Sequence, residues 1–298
     1  MNTVKYTIAS ALLLMSAIVT GKPLSIATWN MEHLAAENDK GCMPRVSKDY
    51  LKLKKYAETV DADIFALQEI QDVDALKRVF DTNKYTLIIS DRPETKPYDC
   101  KVWDEKLKKK VKTGKKSTTQ NVAWVVKKDI KYKYSASDNI RELDLNTYLR
   151  YGLVLQLPKH ELTLVNLHLK SSCYDGNLPS YDAGCTVKQV QLERLKKWVD
   201  QQGDQKTVLL GDWNTKIWSM NDYTIKQFPS FKVNTLSLKS CNPDYLKNGK
   251  AQPGVDHIFT NFTDKQANLY NFGKANEEGV EQNRDAMLSD HCAIKLDL

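Results

Sequence analysis

Six times in this chain a short apolar run finishes in residues that a buried strand has no use for. Residues 24–29 lead into Asn30. Residues 63–67 lead into Gln68 and Glu69. The run 162–169 carries Asn166 and His168, and 207–210 leads into Gly211-Asp212-Trp213-Asn214. The run 255–260 contains Asp256 and His257, and Ser289-Asp290-His291 precedes 292–296. Runs of this length and composition predict strands. Polar residues at the tips of apolar strands point into the crevice those tips share. Any one of them alone is more often a solvated loop residue. Six in one chain demand a fold that gathers these ends.

Helical spacing is sparser. Residues 46–60 carry Tyr50, Leu53, Tyr56, Ala57 and Val60 on one face, and 72–80 reads as a short helix. Residues 186–202 give the clearest helix, with Val187, Val190, Leu195, Trp198 and Val199 on a stripe and Gly203 as a stop. Further strands are predicted at 85–90, 121–126 and 152–157. Few helices, many strands and both hairpin and crossover spacings predict an α/β (α+β) sandwich with mixed sheets. With 298 residues, 41% of them hydrophobic, the chain can bury a large core, which excludes a disordered or collagen-like chain. No internal repeat or low-complexity linker divides it.

The start of the chain stands apart. A basic residue at Lys5, an apolar stretch from Tyr6 to Val19 and the small residues Val19-Thr20-Gly21 predict a signal peptide over 1–21. The stretch is shorter than the ~20 residues a spanning helix needs. One domain over 22–298 and a secreted or periplasmic location follow. All six cysteines lie after that point, and an even count in an exported chain predicts disulfides. Cys173 and Cys185 bracket a polar turn and pair first. Cys42 with Cys100, and Cys241 with Cys292, is one plausible completion. No CxxC or His-x₃-His spacing supports a zinc site.

The strand-end residues form a chemically complete set. Glu69, Asp290 and Asn30 supply hard oxygen ligands suited to Mg²⁺ or Mn²⁺. His168 and His291 can exchange protons near neutral pH. Asp212 and Asn214 lie two positions apart, on one side of a continuing strand. Phosphodiester hydrolysis needs such a set: a cation for the phosphoryl charge, a base for water and a donor for the leaving oxygen.

Thr28-Trp29-Asn30-Met31-Glu32, Leu67-Gln68-Glu69-Ile70, Asn166-Leu167-His168-Leu169-Lys170-Ser171, Gly211-Asp212-Trp213-Asn214, Val255-Asp256-His257-Ile258-Phe259 and Ser289-Asp290-His291 occur in that order. Together they resemble the signature blocks of the endonuclease/exonuclease/phosphatase superfamily, the deoxyribonuclease I-like fold. The His-Leu-Lys-Ser form is most similar to its secreted bacterial nucleases. The resemblance implies a four-layer α/β/β/α sandwich of two mixed sheets flanked by helices. It implies that Glu69 binds the divalent ion, Mg²⁺ or Mn²⁺, with Asn30 and Asp290 beside it, and it leaves room for a structural Ca²⁺. His291 would be the base, oriented by Asp256. Asp212 and Asn214 would position water and phosphate, and His168 would stabilise the transition state or protonate the leaving oxygen. Arg150, Lys170 and Asn166 would contact substrate, and Asp91 would support His168. His257 stands where relatives commonly have an aromatic and is read as non-catalytic. His33 and His160 are read as surface residues, and the chain as a monomer.

Charge narrows the substrate. The whole chain sums to +7. Residues 96–116 hold nine lysines against Asp99, Asp104 and Glu105, a net of +6. The rest of 22–298 balances at 34 basic and 34 acidic residues. This segment, with Lys108, Lys109 and Lys110 at its centre, is predicted to be a long exposed loop that meets a phosphate backbone without reading sequence. The expected activity is a metal-dependent, largely non-specific nuclease acting on DNA and also RNA. The alternatives are a secreted sphingomyelinase or phospholipase C-type phosphodiesterase, against which no exposed aromatic hairpin is found, and a catalytically silent nucleic-acid- or surface-binding protein. Stable membrane insertion is not expected.

Overall fold

The computed structural model describes residues 22–104, 106–175, 178 and 181–298. The signal peptide predicted over 1–21 lies outside them. In chain order the elements are β1 (Ser25–Leu34), α1 (Ser47–Val60), β2 (Ile64–Ile70), α2 (Val73–Lys77), β3 (Tyr85–Ile89), β4 (Asp99–Asp104), β5 (Lys109–Lys116), β6 (Asn121–Lys127), β7 (Leu153–Leu157), β8 (Leu162–His168), α3 (Ala183–Gln202), β9 (Lys206–Asp212), α4 (Tyr223–Lys226), β10 (Lys232–Val233), β11 (Asp256–Thr260), β12 (Asn268–Tyr270) and β13 (Ala293–Asp297). The longest helix, α3, starts earlier than its stripe predicts. The Asp182 carboxylate caps it, accepting from the Gly184 and Cys185 amides.

Two mixed sheets carry the fold. One has six strands in the order β12-β13-β1-β2-β6-β3, the other five in the order β10-β11-β9-β8-β7. Each contains one parallel pair, β1 with β2 and β8 with β9. Three apolar clusters define four layers. Ile26, Ile64, Trp124, Leu164, Leu210 and Ile258 fill the space between the sheets. Tyr50, Leu53, Tyr56 and Val60 of α1 cover the outer face of the first sheet against Trp29, Phe65 and Val125. Leu192 and Leu195 of α3 cover the second against Val165, Leu209 and Phe259. The result is an α/β/β/α sandwich. Among the described residues, no helix is long and apolar enough to cross a membrane.

Strand alternation places the chemistry. Side chains facing the other sheet recur every second residue. Along β1 they run Ile26, Thr28, Asn30, and along β2 Ile64, Ala66, Gln68. Along β8 they run Leu162, Leu164, Asn166, His168, and along β9 Val208, Leu210, Asp212. Antiparallel β11 runs the other way, from Asp256 to Ile258. The layer between the sheets therefore turns from hydrocarbon to polar along its length, and its outermost polar residues, Asn30, His168, Asp212 and Asp256, open at one edge.

The segment 96–116, expected as a loop, is a hairpin. Strands β4 and β5 pair with each other alone, in a two-stranded sheet. Val102 opposite Val111 supplies its one apolar cross-strand pair, and the Asp104 carboxylate closes the turn by accepting from the Lys106 and Leu107 amides. Val102, Trp103 and Leu107 are 53%, 54% and 58% exposed. An exposed aromatic hairpin, not found from sequence, is therefore present. The six cysteines pair as Cys42–Cys100, Cys173–Cys185 and Cys241–Cys292. The first ties the foot of the hairpin to the segment after β1.

Candidate active site

The polar strand ends surround a cleft of about 570 Å³. Two irregularities shape its floor. The pairing of β2 with β6 shifts between Gln68 and Ile70, which leaves Glu69 as the extra residue of a bulge with φ +62°. The register of β1 against β2 shifts between Asn30 and Leu34, where Glu32 and His33 have φ +43° and +55°. The two bulges bring β1 and β2 side chains together. Glu69 accepts from the His33 amide at 3.0 Å, and its carboxylate lies 3.7 Å from His33 Nε2 and 3.9 Å from His168 Nε2.

Asn30 links the two sheets across this floor. Its Nδ2 donates to Asp212 Oδ2 at 3.0 Å, while its Oδ1 accepts from the Glu32 amide at 2.9 Å. Asp212 also accepts from the Asn214 amide at 2.8 Å and lies 3.4 Å from His168 Nε2. Asn214, at φ +52°, donates from its side chain to the Leu169 carbonyl at 3.1 Å. Beneath it, buried Lys188 of α3 donates to the carbonyls of Cys173 and Asn214 and to Thr215 Oγ1, which fixes both loops. On the far side, His291 Nδ1 donates to Asp256 Oδ2 at 2.6 Å, and its Nε2 lies 3.7 Å from Asp290 Oδ1. Behind that loop, buried Arg45 donates to the carbonyls of Met31 and Leu288.

Burial sets the electrostatics. Asp212 is pushed up to about 7 by burial and by the Asp256 charge, against the pull of His291. Asp290 is raised by burial and by Glu69. Burial also raises Glu69, but the charges of His33, Arg150 and His291 outweigh it and hold that carboxyl low. Burial, with the charges of Arg150 and His291, keeps the His168 imidazole neutral well below its usual range. His291 is opposite: burial would lower it, and Asp256, Asp290 and Asp212 together hold it well above.

Four carboxylates in one buried cleft, two of them raised by desolvation and repulsion, form a hard-oxygen set that a divalent cation would relieve. Ligand atoms of Asp212, Asp256 and His291 lie within 4.8 Å of one another, but His291 and Asp256 are already bonded to each other. Glu69 and Asp290 also line the cleft, and neither is bonded to the other.

Of the residues singled out from sequence, Asn30, Glu69, Arg150, His168, Asp212, Asn214, Asp256, Asp290 and His291 all line this cleft, with Lys110 of β5. Asn166 does not. It is fully buried between the sheets, donating to the Leu67 and Ala123 carbonyls and accepting from Gln68 Nε2, so no part of it can meet substrate. Lys170 faces a neighbouring cavity, and Lys109 is exposed on the hairpin. Asp91 does not reach His168. It pairs with Arg141 at 2.8 Å and with the Tyr151 hydroxyl, and His168 Nδ1 has no partner among the described residues. His257 is internal, accepting from Thr235 Oγ1 and donating to the Thr215 carbonyl at 2.7 Å. His33, read as a surface residue, sits in the cleft beside Glu69. Glu32, quoted in the first block but given no role from sequence, accepts from the Asp290 amide at 2.8 Å and is pushed up to about 7 by burial and by Asp290. Only the bulge, which alternation cannot predict, turns these two inward.

The sequence matches the Endonuclease/Exonuclease/phosphatase family over residues 27–291. Similar solved structures include TDP2 from C. elegans, at 16% identity over 91% of this chain and 74% of that one, with a TM-score of 0.54. The AP endonuclease LMAP from Leishmania major is similar at 12% identity over 92% of this chain and 87% of that one, TM-score 0.54. A mannosyl-6-phosphatase from Bacteroides thetaiotaomicron is similar at 12% over 91% and 98%, TM-score 0.53. At these identities the likeness shows the fold alone. No curated protein matches the sequence.

Proposed function

The chain belongs to the endonuclease/exonuclease/phosphatase family, and from that premise we propose that it is a secreted or periplasmic, divalent-metal-dependent nuclease that hydrolyses DNA, and also RNA, with little sequence specificity. The observation that carries the reading is the convergence of Glu69, His168, Asp212, Asp256, Asp290 and His291 in one cleft with a lysine of the hairpin at its rim. Three disulfides and the leader expected over 1–21 support export.

Glu69 and Asp290 would hold the ion, with Asn30 between Glu69 and Asp212. A bound Mg²⁺ or Mn²⁺ would supply neutralisation of charge on the phosphoryl oxygens. Asp256 fixes the His291 tautomer with the proton on Nδ1, so Nε2 faces the cleft and accepts a proton from water once the imidazole is neutral. Asp212, its carboxyl raised by burial, and Asn214 position water and phosphate. Neutral His168 donates a hydrogen bond to charge developing on the phosphoryl group or the leaving oxygen. Arg150, buried at the cleft wall and lowered to about 10 by burial, pairs with a phosphate oxygen. Lys108, Lys109 and Lys110 of the hairpin hold the backbone beyond the cut.

One observation favours a second reading. Val102, Trp103 and Leu107, exposed among lysines, suit an anionic lipid surface and a phospholipase C-type activity. A substrate panel with and without chelator decides: duplex DNA, single strands, RNA and sphingomyelin. The nuclease reading expects Mg²⁺- or Mn²⁺-dependent cleavage of the nucleic acids. Intact DNA and RNA with hydrolysed sphingomyelin would overturn it.

A further inference from the structure

A second cavity, of about 440 Å³, lies beside the catalytic cleft and shares Tyr98, Gln120, Arg150 and Ser171 with it. Three cationic side chains line it, Arg92, Arg150 and Lys170, and among the described residues no carboxylate does. Arg92 is held rigidly, donating to the Gln120 carbonyl at 3.0 Å and the Thr147 carbonyl at 2.9 Å, with Asp144 3.9 Å from its Nε. Arg150 donates from Nη1 to the Tyr148 carbonyl, while its buried Nε and the buried Thr118 Oγ1 have no hydrogen-bond partner among the described residues. Lys170 Nζ rests on the Ser171 carbonyl at 2.8 Å, and burial and the Arg150 charge both oppose its own charge. Tyr98 and Tyr148 stand at the wall with their rings about half exposed.

A pocket with crowded cations, spare donors and no acid is built for an anion. Arg150 belongs to both spaces, so an anion here would be joined to the one in the cleft by a short linker. Exposed rings at the wall suit a base, whose faces stack without regard to sequence. Resting on the nuclease reading above, we propose that this cavity receives the phosphate next to the scissile one on the same strand, with a nucleoside against Tyr148. The substrate class is then a chain of phosphodiesters, in preference to a lone phosphodiester.

The test compares oligothymidylate with bis(4-nitrophenyl) phosphate, which has one phosphate only, using K170M and Y148A. K170M is expected to raise KM for oligothymidylate about tenfold, the weight of one charged contact, with kcat within about twofold. Y148A should raise KM for oligothymidylate in the same direction, and KM for bis(4-nitrophenyl) phosphate should move less than about twofold in either variant. Equal shifts for both substrates, or none for either, overturn the proposal. If the parent hydrolyses neither substrate with Mg²⁺ or Mn²⁺, the nuclease reading fails and the cavity is judged by binding. Calorimetric titration with pTpT in EDTA should then show binding weakened about tenfold in K170M. No binding by the parent, or equal binding by K170M, overturns the proposal independently of the activity.

Discussion

Replacing Gly211 by alanine places a methyl group where another strand's backbone already lies. Gly211 has φ +144°, and it pairs with Leu167 in the parallel ladder of β8 and β9. An added Cβ would lie 2.8 Å from both the Leu167 amide nitrogen and its carbonyl carbon, and closer still to the carbonyl oxygen. Real Cβ atoms essentially never approach within 3.0 Å, and backbone cannot swing aside as a side chain can. The strands must part locally. Separating them strands at least two buried ladder groups at about 1–3 kcal/mol each, and an L-residue at this φ adds about 1–3 kcal/mol. The expected loss is roughly 3–9 kcal/mol, a fall in Tm of about 5–15 °C for a chain of this size. Urea unfolding followed by fluorescence reads it as a lower midpoint with an unchanged slope. Gly249→Ala is the control, because Gly249 also has positive φ (+73°) with nothing within 4 Å of an added Cβ. It should lose only about 1 kcal/mol. Should Gly211→Ala lose no more than the control, the close approach of β8 and β9 is not what demands glycine before Asp212.

Asp256→Asn keeps the shape but leaves His291 Nδ1 without an anionic partner, so kcat should fall by about 10³–10⁴ while Tm stays within a few degrees; a loss under tenfold refutes the orienting role. Burial holds His257 at about 4, below the usual 6.5, so the native state resists the proton that the unfolded chain accepts. Stability is then unaffected above pH 6.5 and falls as pH drops toward 4, by about 3 kcal/mol in all; in His257→Gln that part of the acid limb should vanish, and an unchanged limb contradicts the assignment. Lys109→Gln with Lys110→Gln should reduce the slope of log binding constant against log salt for duplex DNA by about 2, and an unchanged slope makes the hairpin a solvated surface only. Mg²⁺ at about 100 times its Kd should stabilise the parent by roughly 2.7 kcal/mol, and Glu69→Gln should abolish that gain; an equal gain in the variant moves the ion elsewhere.

Much of the sandwich could be read because its strands alternate cleanly. Ile26, Ile64, Leu164 and Leu210 mark the inner face, and Asn30, His168 and Asp212, further along that face on β1, β8 and β9, mark its open end. What could not be read follows from breaks in that period. The bulges at Glu69 and at Glu32-His33 reverse which side chains face inward, and neither leaves a compositional mark. Asn166 has the look of a site residue because periodicity counts faces but not depth. It sits one step too deep, where its amide serves the backbone of the other sheet. Lys101, Lys109 and Lys112 hid the hairpin, since a ribbon with a single apolar cross-strand pair shows no alternation. Asp91 illustrates the same limit: the partner it takes, Tyr151, is 60 residues away.

The change from hydrocarbon to polar side chains along each strand gives neighbouring positions different failure modes. Within β9, Leu210 and Asp212 are two residues apart on the same face. Truncating Leu210 leaves a cavity in the sheet interface and should cost about 2–5 kcal/mol of folding free energy. Truncating Asp212 removes a carboxylate that burial disfavours but leaves the Asn30 and Asn214 donors without their acceptor, so turnover should be lost with little net change in melting temperature. Variation at the last inward residue of each strand is thus decoupled from variation one step deeper. One scaffold can exchange the chemistry at its rim, residue by residue, with its core left as it is.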